Sequence, residues 1–198
     1  MDLVARAQAI ILKPKEEWVK IKGESSTIAQ LFSSYAVFLA LIPAIAQFIG
    51  FGLIGTRVLT FGVIRMGLGS ALFRAILAYI FGLIVVYVFG VVINALAPSF
   101  GSVQNPVNAM KLAVFSMTPS WIGGIFYIIP ALSILTLLAS LYGLYVLYLG
   151  FATPMMDTPK EKVMGYLIVS IVVIIVLTVV VGIILGAIFA VGAVTTGL

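Results

Sequence analysis

The chain has 198 residues, of which 63% are hydrophobic and 9% are charged, and its formal net charge is +5. Soluble proteins carry roughly 25% charged residues, so this composition excludes a soluble domain and predicts an integral membrane protein. The absence of cysteine and histidine excludes a thiol nucleophile, a disulfide framework and a zinc site, and we expect no cofactor. The basic excess indicates orientation and contact with anionic lipid, with no nucleic acid as partner.

The first 26 residues have the pattern of a segment that lies on the membrane surface. Apolar residues at positions 3, 7, 10 and 11 fall on one face of a helix, and Asp2, Arg6 and Lys13 fall on the other. A second short helix is predicted over residues 14–23, because proline suits the first helical position and glycine the end. Trp18 would give this helix an apolar edge at headgroup depth. An ordinary juxtamembrane linker is the alternative.

Residues 27–198 predict a transmembrane domain of five helices, since about 20 apolar residues already cross a bilayer. The predicted fold class is therefore all-α, an integral membrane bundle preceded by a short amphipathic interfacial helix. Thr27 with Gln30 fits a capping box, and Asn105 before Pro106 fits a helix start. The stretch 56–74 is too charged to cross and is expected to be a loop or a short re-entrant element. The predicted spans are about 28–55, 75–97, 107–129, 131–151 and 159–194.

A long uncharged stretch between Lys111 and Asp157 organises this arrangement. It exceeds one crossing, and Pro130 divides it into two arms with only a short connection between them. The simplest structure is a helical hairpin whose two ends lie on the same side of the membrane.

Charge asymmetry predicts a cytoplasmic N-terminus and an external C-terminus in the cell membrane, because cytoplasmic loops carry the excess of lysine and arginine. Three basic residues, Arg57, Arg65 and Arg74, would lie outside. The eight inside would be Arg6, Lys13, Lys15, Lys20, Lys22, Lys111, Lys160 and Lys162.

Catalysis is not predicted, because ionisable groups at membrane depth are the usual marks of chemistry there and none lies deep in the five spans. The charged segments instead predict contact with lipid or a protein partner. The candidate contact residues are Arg6, Lys13, Lys15, Trp18, Lys20, Lys22, Lys160 and Lys162.

Two further sets of residues have uses within the membrane. Small residues at Gly182, Gly186 and Ala190 allow close helix packing, within the chain or in a homo-oligomer. Polar and helix-breaking residues could line a path for a solute, although packing is the simpler role for the tyrosines. The candidates for this path are Asn94, Ser116, Thr118, Pro119, Tyr142, Tyr145 and Tyr148.

Several stretches resemble the membrane domain of the Yip family (Ypt/Rab-interacting proteins), particularly its prokaryotic branch. They are KLAVFSMTPSWIGGIF from Lys111, the proline at position 130, and LYGLYVLYLGFATPMM from Leu141. LKPKEEWVKIKGE from Leu12 resembles the Pro-x-x-x-Trp segment that precedes the first span in that family. The resemblance implies five crossings, a cytoplasmic N-terminus, oligomerisation and no catalytic residues. Its eukaryotic members bind small GTPases and work in vesicle trafficking.

Two functional hypotheses follow. The first is a non-enzymatic protein that organises the membrane or partner proteins through its N-terminal segment and the loop before the fifth helix. The second is a passive channel or transporter for a small solute or ion, in which helix breaks at Pro43, Pro119, Gly123 and Gly124 surround the polar path.

Overall fold

The computed structural model describes residues 2–58, 62–153 and 155–195, with the side chains of 57, 58 and 189–195 outside the description. This part of the chain is helical apart from one short two-stranded hairpin. Two short helices precede the bundle. Helix α1 spans Leu3–Leu12 and α2 spans Pro14–Gly23, as the proline and glycine predicted.

Helix α3 is the first of the long membrane helices and spans Ile28–Ile54. The capping box of Thr27 and Gln30 is confirmed, since each side chain bonds to the backbone N–H of the other residue. Two π-helical stretches, Phe32–Ala36 and Ile49–Ile54, widen the helix near its ends. Gly55 then ends it with a φ of 84°, a left-handed conformation that glycine adopts without strain.

The region after α3 differs from the predicted loop of residues 56–74. Strands β1, Thr56–Val58, and β2, Gly62–Ile64, pair antiparallel. Helix α4 spans Leu68–Leu96 and so begins earlier than the predicted position 75. Arg74 lies inside it, and its guanidinium stacks over the Phe51 ring, 5.6 Å from the centroid, so the charge has an aromatic partner near the helix end.

The segment predicted as the third span, 107–129, is a broken helix. Helix α5 spans Pro106–Ser116, with Asn105 as its cap, and α6 spans Thr118–Gly123, followed by a 3-10 turn over Gly124–Ile128. Pro119 has no backbone N–H for a continuing ladder, which accounts for the break. Four continuous helices in the described chain are long and apolar enough to cross a membrane, and the count of five is not confirmed. They are Ile28–Ile54, Leu68–Phe100, Pro130–Ala152 and Lys160–Ile188.

Helix α7, Ser133–Ala152, packs against the broken segment through small residues. A Cβ added at Gly143 would lie 2.8 Å from the Ser116 carbonyl oxygen, and one at Gly123 would lie 2.3 Å from Ala139 Cβ. Thr136 Oγ1 donates to the Gly123 carbonyl oxygen at 3.0 Å. These contacts run antiparallel, so the two arms form the predicted hairpin.

Helix α8, Lys160–Thr195, completes the bundle. A Cβ added at Gly182 or Gly186 would have no neighbour within 4 Å, so these glycines make no close helix contact within the described chain. The side chain of Ala190 lies outside the description. Packing between copies through this face stays a prediction.

A candidate contact surface at the N-terminal segment

A buried ionic cluster joins the two N-terminal helices. Arg6 on α1 donates through Nη1 to Glu17 on α2 and through Nη2 to Glu24 just after it. The Arg6 and Glu17 side chains are only 9% and 7% exposed, whereas Glu24 is 43% exposed. Lys20 Nζ lies 3.3 Å from Glu17 Oε2 at the surface. Because the Arg6 and Glu17 side chains are hardly exposed to water, each of these charges is stabilised mainly by the other.

Lys111 on α5 fastens the end of α2 to the bundle. Its Nζ donates to the carbonyl oxygens of Ile21 at 2.9 Å and Glu24 at 2.5 Å. A cation at a helix C-terminus satisfies carbonyl groups that have no intrahelical donor. Lys111 is 3% exposed and lies outside the four continuous spans.

Trp18 anchors α2 against α7 in the interior of the protein. It is 1% exposed, and its Nε1 donates to the Val146 carbonyl oxygen at 2.9 Å. Its ring meets Phe115 edge-on with centroids 6.3 Å apart. A Cβ at Gly150 would lie 2.9 Å from the indole, so the absence of a side chain there makes room for the tryptophan. On α1, the Ile11 carbonyl oxygen accepts from the Tyr142 hydroxyl at 2.7 Å.

Two of the predicted contact residues are buried in the structure, and their contact with lipid or a partner stays a prediction. Arg6 was expected on an exposed polar face and Trp18 at headgroup depth, but both are enclosed by protein. The reason is that α1 and α2 pack on each other and on the bundle, so a charged face of α1 meets the Glu17 carboxylate instead of water. The remaining six contact residues are all exposed: Lys13, Lys15, Lys20, Lys22, Lys160 and Lys162.

An ion pair brings the two predicted contact segments together. Lys22 Nζ, at the end of α2, lies 3.1 Å from Asp157 Oδ1 in the loop between α7 and α8. That loop is fixed from the other side, because Val103 N donates to the Met156 carbonyl oxygen and Asn108 Nδ2 to that of Met155, both at 2.9 Å. The N-terminal segment, residues 2–24, and the stretch from the loop into the start of α8, residues 155–162, therefore form one surface, which we call the charged platform.

The charged platform contains an open polar groove of about 740 Å³ between α1 and α2. Its charged lining consists of Asp2, Arg6, Glu17, Lys20 and Glu24. In the described chain, no group of three or more acidic, histidine or cysteine side chains could bind a metal ion. The groove thus offers mixed charge and no metal-ligand set.

Three residues proposed for a polar path, Ser116, Thr118 and Tyr142, form hydrogen bonds with separate partners. Thr118 Oγ1 bonds the Tyr35 hydroxyl at 2.8 Å, and the Ser116 hydroxyl donates to the Ala113 carbonyl oxygen at 3.1 Å within its own helix. The Tyr142 hydroxyl donates to the Ile11 carbonyl oxygen of α1. The backbone carbonyl of Asn94 accepts from Gln104 Nε2 at 3.2 Å, whereas its side-chain Oδ1 is buried without a hydrogen-bond partner in the described chain.

Three members of that set have other surroundings. Pro119 is buried and Tyr148 half-buried, while Tyr145 is 49% exposed at the outer surface of α7. None of the seven residues lines the groove between α1 and α2 or the depression between α3 and α4. These contacts indicate packing, and a channel is not favoured.

Comparison with known families gives a match to the Yip1 domain over residues 9–183. The chain belongs to the Yip family. The match includes α2, the broken segment and α7, which together carry the anchors of Lys111 and Trp18. No match was found among curated proteins or among solved structures. The Yip domain is not known as an enzyme family, and assignment to its prokaryotic branch stays a prediction.

Sequence patterns did not reveal Lys111 as a site residue. They place it at the edge of the hairpin and among the cytoplasmic basic residues. The available signal was its position in α5, where the residues from Ala109 to Ser116 are all buried. A single lysine within such a stretch needs buried acceptors, and the carbonyl groups at the end of α2 provide them.

Proposed function

We propose that this Yip family protein is a non-enzymatic, multi-pass membrane protein that organises the membrane or partner proteins through the charged platform. The single observation that carries the proposal is the Lys22–Asp157 ion pair, which joins the two charged segments into one surface. A fixed surface suits recognition, because it loses little conformational freedom when a partner binds.

The platform has mixed charge. Its six exposed lysines stand among exposed carboxylates, which are Asp2, Glu16, Glu24, Asp157 and Glu161. Lysines near an anionic membrane contribute about 1 kcal/mol each, and the neighbouring carboxylates oppose that attraction. A partner protein of complementary pattern would use both signs, since electrostatic complementarity gives specificity and orientation.

Photocrosslinking in cells tests whether the platform is one surface. With a photoreactive residue at Lys15 or at Lys160 of the full chain, we expect the same crosslinked neighbour from both positions. A Lys13→Glu substitution should weaken both products several-fold, because it reverses a charge on the shared surface. The matched control is the same probe at Ile175, which is 55% exposed on α8 and should give lipid only. Unrelated products from the two platform positions would contradict the proposal.

We also propose five crossings with a cytoplasmic N-terminus in the cell membrane. Support comes from the ends of the broken segment. Asn108 bonds Met155 at the platform end, whereas a Cβ at Gly50, near the far end of α3, would overlap the Tyr127 carbonyl oxygen at 2.0 Å. The segment therefore runs the length of the bundle despite its break.

Because the chain has no cysteine, single introduced cysteines report this topology. In intact cells, a membrane-impermeant maleimide should label Gly67→Cys and Ile129→Cys but not Lys15→Cys or Val103→Cys. Ile129 and Val103 are 48% and 59% exposed, so labelling depends on the side of the membrane. After permeabilisation all four should react. Protection of Ile129→Cys in intact cells would show that the broken segment does not cross.

A further inference from the structure

The end of the bundle opposite the charged platform is rich in positive charge. Helix α3 has 27 residues, so it separates the β1–β2 hairpin from the platform by about 40 Å at 1.5 Å per residue. The sequence from Gly55 to Arg74 contains three arginines, Arg57, Arg65 and Arg74, and no carboxylate. The six acidic residues lie at positions 2, 16, 17, 24, 157 and 161. This end therefore attracts anions.

An apolar groove of about 220 Å³ lies between α3 and α4 near this end. Its lining exposes no polar surface. The floor is low because Ala44 and Ala75 are small and buried, 8% and 5% exposed, whereas Ile45 and Ile76 beside them are 53% and 46% exposed. The groove is therefore a channel-shaped depression with apolar rims. Its lining residues are Leu41, Ala44, Ile45, Phe48, Leu72, Ala75, Ile76 and Tyr79.

A second cavity, of about 300 Å³, lies at the hairpin that follows α3. Phe51, Thr56, Ile64, Arg65 and Met66 line it. The two cavities lie at the same end of α3, because a Cβ added at Gly52, beside Phe51, would lie 3.8 Å from Phe48 of the groove and 3.0 Å from Ala71 of α4. The Phe51 ring also carries the stacked guanidinium of Arg74, at 5.6 Å. The guanidinium groups of Arg65 and Arg74 thus lie near the hairpin end of the apolar groove.

We propose that the groove and the hairpin cavity together bind one anionic phospholipid, with an acyl chain along Ala44 and Ala75 and the phosphate at Arg65. Arginine recognises phosphate through a rigid fork of donors, which gives both attraction and orientation. A neutral lipid would fit the groove but would bring no net negative charge to the arginines. The proposal is independent of the function proposed for the charged platform, since it uses neither its lysines nor its partners.

Native mass spectrometry of the full-length protein in a mild non-ionic detergent tests this site. Phosphatidylglycerol and phosphatidylcholine with identical acyl chains are titrated, and we expect a one-to-one complex with preference for phosphatidylglycerol. Arg65→Gln should weaken that complex about fivefold, the effect of one basic residue near an anionic headgroup, while Arg65→Lys should retain most of it. Arg65 is exposed, so these variants leave the core intact.

The groove has its own variants and controls. Ala75→Leu fills the floor and should weaken phosphatidylglycerol binding about tenfold, and glycerol phosphate without acyl chains should not bind measurably. Ile175→Ala, at an exposed position of α8 that lines neither cavity, should change nothing. Equal binding of the two lipids, or full binding by Arg65→Gln, would overturn the proposal. So would a dimer that Ala75→Leu abolishes, because the groove would then belong to a second copy of the chain.

Discussion

Replacing Arg6 with methionine is expected to release the two N-terminal helices from each other. The substitution keeps most of the side-chain volume but leaves the Glu17 carboxylate, 7% exposed, without its buried partner. Removing one member of a buried ion pair costs about 3–5 kcal/mol. Glu24 is 43% exposed and can turn to water, so Glu17 accounts for most of the loss. Faster amide hydrogen exchange over residues 3–23 of the full chain in nanodiscs measures the release.

A second substitution distinguishes lost charge pairing from lost packing. Arg6→Met combined with Glu17→Leu removes both charges, and we expect protection of residues 3–23 to return to a large extent, because an apolar pair of similar volume can replace a buried ion pair. The matched control is Lys20→Met. Lys20 is 67% exposed in its pair with Glu17, and an exposed pair contributes about 0–1 kcal/mol. Unchanged exchange in the Arg6→Met variant would show that the cluster does not fasten these helices.

Trp18→Ala is expected to destabilise the same segment by about 3–5 kcal/mol, the range for removing a fully buried large aromatic side chain. The indole is 1% exposed and fills the space beside Gly150. Its loss would also leave the Val146 carbonyl oxygen without the Nε1 donor. Hydrogen exchange over residues 14–23, together with the thermal unfolding of the full chain, measures the effect.

Trp18→Phe separates the two contributions of the tryptophan. Phenylalanine keeps much of the apolar contact with Phe115 and α7 but has no N–H group, so we expect a loss of about 1–3 kcal/mol, the cost of an unpaired buried acceptor together with the reduced volume. The control at the surface of the same helix is Val19→Ala, since Val19 is 64% exposed. If Trp18→Ala and Val19→Ala were equally mild, α2 would not depend on its buried edge.

The start of each helix could be predicted where local chemistry determines it. Pro14 and Gly23 bound α2 as expected, and the caps at Thr27 and Asn105 bond the backbone as their side chains predicted. Caps act within one turn, so the sequence alone contains the whole interaction. Membership of the Yip family was also visible in the sequence, because its stretches extend along most of the chain.

The docking of α1 and α2 could not be predicted in this way. Helical periodicity shows that Arg6 and Ala7 lie on neighbouring faces, but it does not show which face meets protein. The partners of Arg6, Trp18 and Lys111 belong to other elements. Hydropathy does not show the break at Pro119, because a broken helix and a continuous one have the same average over the window. The residue types indicate it, since Pro119, Gly123 and Gly124 are candidate helix breaks in the channel hypothesis.

The contacts that anchor the N-terminal helices affect the order in which the protein folds during synthesis. Trp18 bonds a residue 128 positions later and the Ile11 carbonyl a residue 131 positions later. At synthesis rates of 5–20 residues per second, α1 and α2 therefore wait roughly ten seconds for these partners. During that time Arg6 can already meet Glu17, only 11 positions away. The ion pair can thus bring the two helices together early, and α7 becomes their final support only after the hairpin has been made.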